Sequence, residues 1–65
     1  MIVVSREPRT GGYRWIMDGR RVVSGDAGQT PQHAACTAVT EAIRHGCKIM
    51  APTEVAAHIP REYLR

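Results

Sequence analysis

The sequence predicts one small α+β domain. It reads as a three-stranded antiparallel meander over 1–5, 13–17 and 20–24, then a helix over 31–45, a short fourth strand over 47–50 and a short C-terminal helix over 53–59. Three observations carry this. Short β-branched or alternating apolar stretches in the first third are broken by Gly, Pro and Asp. Thr30-Pro31 and Gly46 bracket a segment whose apolar residues recur at helical spacing. A chain of 65 residues, 43% apolar, leaves room for a single core and a single domain over 1–65.

The elements follow in order. Met1-Ile2-Val3-Val4-Ser5 is a short apolar run, as expected of a strand buried on both faces or nearly so. Residues 6–12, including Glu7, have turn chemistry. From 13 to 17 the chain alternates, with Tyr13, Trp15 and Met17 on one face and Arg14 and Ile16 on the other. Trp15 is assigned to the core side, because the chain has few other large side chains and no Phe. Asp18-Gly19 is a two-residue hairpin signal, since both positions must tolerate positive φ. Arg20-Arg21-Val22-Val23-Ser24 returns as the third strand, and Gly25-Asp26-Ala27-Gly28-Gln29 reads as a loop. Thr30 is placed to cap the helix, Pro31 fits its first position, and Gly46 ends it, with Arg44 and His45 suited to its negative end. Ala35, Ala38, Val39, Ala42 and Ile43 form its apolar face, small enough to lie close on a sheet. A strand–helix–strand unit then implies a parallel pair for the fourth strand. Thr53 is placed to cap the last helix, which Pro60 limits.

Composition excludes several function classes. No apolar run approaches the roughly 18 residues of a membrane span. Arg6, Glu7 and Arg9 interrupt the start before the apolar stretch of a leader peptide forms. Two cysteines, Cys36 and Cys47, are fewer than a small secreted scaffold carries, so free thiols and a cytoplasmic location are expected. The net charge of +3, from eight Arg and one Lys, is spread along the chain rather than gathered in a stripe. Eight of the apolar residues are alanine, so the core is thin and help from self-association or a partner is expected.

Cofactor and metal chemistry find little support. His33 and Cys36 share a helix face, but His45 lies nine residues past Cys36, roughly 13 Å along the axis at about 1.5 Å per residue. One tetrahedral zinc does not span that distance. Cys36 or Cys47 with a histidine lacks an orienting third group. Gly25-x-x-Gly28 is too short for a phosphate loop and no lysine follows it. No cofactor and no metal site is therefore expected.

Gly11-Gly12-Tyr13 before the second strand, Asp18-Gly19-Arg20 at the second hairpin, and Thr30-Pro31-Gln32-His33-Ala34-Ala35 at the helix start carry a family resemblance. With the order strand–strand–strand–helix–strand–helix, the chain resembles the first half of a ribonuclease H-like domain. From Ser24 to Ile43 it is similar to HicB-type antitoxins, which use a truncated form of that fold. The resemblance implies a site of clustered carboxylates gripping two metal ions, and this sequence departs from it. The first-strand Asp falls near Ser5 or Arg6, and the first-helix Glu falls on Ala35. Glu54 is the one candidate carboxylate after the fourth strand, and one carboxylate does not hold two Mg²⁺ ions. The resemblance thus implies a frame without its catalytic centre.

The functional expectation is a non-catalytic binding module acting by protein–protein contact, as an antitoxin-like inhibitor or a small phage or mobile-element regulator. Its partner is another protein or a second copy, and the contact residues are Arg14, Ile16, Arg20 and Arg21, on a sheet face that one helix leaves uncovered. The alternative is nucleic-acid binding through Arg14, Arg20, Arg21 and Lys48. A residual metal-dependent nuclease using Asp18, Asp26 or Glu54 ranks below both, because Asp18 and Asp26 are explained as turn residues.

Overall fold

Successive side chains of a strand point to opposite faces, so burial along a strand reports what covers each face. The computed structural model describes residues 1–17 and 23–65. In β1 (Ile2–Glu7), Ile2 and Val4 are buried while Val3 and Ser5 are exposed. The first strand is therefore covered on one face only. That corrects the expectation of burial on both, and the reason is that the helices pack on one side of the sheet.

β2 (Gly12–Met17) pairs antiparallel with β1, setting Val3 against Ile16, Val4 against Trp15 and Arg6 against Tyr13. β1 ends at Glu7, opposite Gly12, so Glu7 belongs to the strand and not to the turn. Trp15 is buried, and Tyr13 and Met17 are half-buried on the same side, as the alternation predicts. Arg14 and Ile16 face the other way.

Among the described residues β3 runs from Val23 to Gly28, so the third strand extends beyond Ser24 into the 25–29 segment expected to be a loop. The expected turn and the first residues of the expected strand, 18–22, lie outside the described residues. The glycines that suggested a loop have a packing role. A Cβ on Gly25 would sit 2.9 Å from Trp15 Nε1, so the indole lies where only glycine leaves room. The register shifts between Tyr13 and Arg14, which pair with Gly28 and Asp26, so Ala27 is the extra residue of a bulge and is fully buried. Asp26 Oδ1 accepts the Gly28 N–H at 2.8 Å and supports that bend.

α1 (Pro31–His45) follows its expected limits. Thr30 Oγ1 accepts the His33 N–H at 3.1 Å, a cap that contributes about 1 kcal/mol. Gly46 closes the helix in the left-handed conformation, φ 64°, where a side chain is disfavoured. The buried residues of α1 are Ala34, Ala35, Ala38 and Ala42. Alanine at each contact lets the helix lie close on the sheet and its buried Ala27. Ile43, expected on the apolar face, is 62% exposed instead. The buried stripe is narrow, and Ile43 lies beyond its edge.

β4 is shorter than expected, Ile49–Met50, and pairs parallel with β1. Among the described residues the strands form one sheet in the order β3-β2-β1-β4, with β1 and β2 central. α2 (Thr53–Ala56) ends earlier than expected, although its hydrogen-bonded turns continue to Ile59. A 3₁₀ turn, Arg61–Tyr63, then brings Leu64 into a parallel bridge with Ile49, and the Arg65 N–H donates to the Ile49 carbonyl. The free edge of β4 is thereby covered. No helix among the described residues is long and apolar enough to cross a membrane.

Candidate binding surface

Two arrangements stand apart from ordinary packing. The first is the sheet face opposite the helices. The register places Ser24, Ile16, Val3 and Met50 side by side across all four strands. Ile16, Val3 and Met50 are 36–40% exposed, so three large apolar side chains form a row open to water. Arg14 stands between Ser5 and Asp26 in the next row, and its guanidinium lies 3.8 Å from Glu7. At the end of β2 and β3 a hollow of about 260 Å³ is lined by Glu7, Thr10, Arg14, Ser24 and Asp26, among others. That is below the roughly 300–1,000 Å³ of drug-sized ligand sites. The face suits a broad contact better than a small ligand.

The second arrangement joins α2 to the sheet. Arg6 donates through Nε to Glu54 Oε2 at 2.8 Å and through Nη2 to Oε1 at 2.6 Å, a two-pronged pair, and Tyr13 Oη donates to Glu54 Oε2 at 3.1 Å. Arg6 and Tyr13 meet because they are opposite each other in the β1–β2 ladder. Glu54 reaches them from the first turn of α2. The Arg6 hydrogen bonds hold the Glu54 carboxyl below its ordinary range, and the same pairing raises the guanidinium further. The Tyr13 phenol is pushed up, first by partial desolvation and then by its bond to Glu54.

The carboxylate depression has a pH consequence with a definite sign. A group whose folded pKa lies below its unfolded one stabilises the fold above the unfolded value, and that contribution fades as pH falls through the folded one. Glu54→Gln is therefore expected to cost stability at pH 7 and to approach the wild type in acid. Urea midpoints for both proteins from pH 7 downward check this. A stability gap that stays constant with pH would show that the ionised network contributes nothing.

The predicted site residues separate as follows. Arg14 and Ile16 lie on the open face, as the alternation of β2 implies. Arg20 and Arg21 lie outside the described residues, as does Asp18. Lys48 is not beside Arg14: it precedes β4, which β1 separates from β2, and Lys48 Nζ donates to the Glu62 carbonyl. Asp26 is on β3, not in a loop, and Glu54 is held by Arg6. Among the described residues no three His, Cys, Asp or Glu side chains form a group that could hold a metal ion. Cys36 and Cys47 are free thiols, the first exposed and the second half-buried.

Sequence reasoning missed Val3 and Met50 on the open face. The strict period-two alternation that separates Tyr13 from Arg14 is hidden in a run of apolar residues. It also missed the Arg6–Glu54 pairing, which joins residues 48 positions apart. No family model matches the chain, and neither a curated protein nor a solved structure matches it.

Proposed function

We propose that this chain is a non-catalytic, cytoplasmic binding module that works by protein–protein contact, in the manner of an antitoxin-like inhibitor or a small regulator of a phage or mobile element. The observation that supports this most is the open row of Ile16, Val3 and Met50 with Arg14 beside it. Exposed apolar side chains in one contiguous row, rimmed by charge, are the composition of a contact surface. The ribonuclease H-like resemblance gives the same reading from the other side. In that resemblance a carboxylate-bound metal pair would occupy the region of Arg6 and Glu54, and here a cation of the chain itself neutralises the carboxylate. Arg14 faces Glu7 and Lys48 is engaged with a carbonyl, which weakens the nucleic-acid alternative.

The test is co-purification from the native host, followed by titration of the recovered protein against purified variants. Ile16→Glu and Arg14→Ala are each expected to weaken that complex tenfold or more, about 1.4 kcal/mol, with an unchanged far-UV spectrum. Full affinity in both variants would remove this surface from the interaction. Recovery of nucleic acid instead, with binding that collapses as salt is raised, would replace the protein-contact reading with the alternative.

A further inference from the structure

We propose that the partner on the open face is a second copy of this chain, the two sheets packing face to face about a two-fold axis that runs parallel to the strands between β1 and β2. The inference rests on the open face being a contact surface and names its occupant.

Symmetry is the first argument. A two-fold contact presents the same patch twice, so the patch must complement itself. An axis between β1 and β2 lays β2 of one copy over β1 of the other. Ile16 then meets Val3 of the other copy, and Val3 meets its Ile16, so the two residues adjacent in each ladder face each other again across the interface. Met50 of each copy covers Ser24 of the other. Arg14 faces the other copy's Ser5, one row from its Glu7, the carboxylate already near Arg14 within one chain. No like charges are brought together in these rows. Among the described residues the face carries both signs, Arg14 with Glu7 and Asp26, as a surface that meets its own copy needs.

Area is the second argument. The molecule measures 28 × 25 × 15 Å. Stable interfaces cover about 800 Å² on each partner, so a dimer of a chain this small has to use the whole open sheet face and its rim rather than a corner of it. Aligned sheets pack about 10 Å apart with interdigitated side chains, a distance that exposed Ile, Val and Met fill.

The core is the third. Among the described residues, Ile2, Ile49 and Val55 are the largest fully buried side chains, and five of the eleven buried apolar residues are alanine. A layer contributed by a second copy would bury Ile16, Val3 and Met50, the large apolar side chains that the helices leave open.

Sedimentation velocity on the full chain, at concentrations up to about 100 μM, tests this. The expected species has twice the 7.2 kDa chain mass. Ile16→Glu and Val3→Glu are each expected to raise the dimer dissociation constant at least 100-fold while keeping the far-UV spectrum. Ile43→Glu, at an exposed helix position off the face, is expected to leave the dimer intact. Where a glutamate variant fails to fold, Ile16→Thr serves in its place, with weakening in the same direction. A wild-type monomer throughout the range would overturn the proposal. So would a dimer indifferent to both face variants, or one dissociated by Ile43→Glu. A monomer that still binds a host protein through Ile16 would reject self-pairing and leave the binding-module reading in place. A dimer split by Ile16→Glu, with host-protein affinity unchanged, would do the reverse.

Discussion

Trp15→Ala is expected to lower the unfolding free energy by about 3–5 kcal/mol, the range for truncating a buried large aromatic. Trp15 is 7% exposed and is the one tryptophan of the chain. A domain of this size has roughly 3–10 kcal/mol in total, at about 0.05–0.15 kcal/mol per residue. The substitution therefore takes a third of the stability or all of it. The surroundings offer no easy collapse. The indole lies over Gly25, which has no side chain to move in, and the opposing helix presents alanines. Urea unfolding followed by circular dichroism measures the loss. Trp15→Phe, which keeps most of the volume, is expected to lose less. A change below 1 kcal/mol for the alanine variant would show that Trp15 is not the centre of the core.

Gly28→Ala is expected to be the next most damaging change. Gly28 has φ 97°, a region closed to most L-residues, and the backbone strain alone costs roughly 1–3 kcal/mol. Contact adds to it. A Cβ there would lie 2.6 Å from His33 Cγ, 2.7 Å from its Nδ1 and 3.1 Å from its Cβ. The ring has room to turn away, but the His33 Cβ is fixed by the first turn of α1, whose His33 N–H is held by Thr30. The two contributions separate in a double-mutant cycle. His33→Ala combined with Gly28→Ala is expected to recover the share of the loss due to the ring and to retain the Cβ contact and the backbone part. If Gly28→Ala alone stays within about 0.5 kcal/mol of the wild type, the surface-substitution range, the bulge that buries Ala27 does not depend on this residue.

The contrast between these two residues explains which parts of the fold were legible. α1 was legible because its limits are written locally: Thr30 and Pro31 satisfy the demands of a helix start, and Gly46 those of its end. The parity of β2 was legible because Trp15 is large and Arg14 charged, so each face declares itself within five residues. β3 was not. Its glycines and Asp26 have turn composition, and their meaning depends on Trp15 and His33, which reach them from other elements. Propensity yields to tertiary packing at such positions. The candidate surface was half legible for the same reason. Arg14 and Ile16 followed from alternation, while Val3 and Met50 required knowing that the helices cover only one face. The Arg6–Glu54–Tyr13 cluster joins the β1–β2 hairpin to a residue of α2 that is 48 and 41 positions away and has no local mark at all.

The place of β1 in the sheet sets the order of assembly. β1 is flanked by β2 on one side and by β4 on the other, and Ile2 pairs with both Met17 and Ile49. The hairpin partner is available early in synthesis, but the second neighbour is released only after the whole of α1. Until then one rim of β1 stays unsatisfied. Closing a loop of that span is also what slows a chain dominated by long-range pairing. The Ile2–Ile49 pairing therefore spans the whole of α1, and the Leu64–Ile49 bridge seals the edge opposite β3.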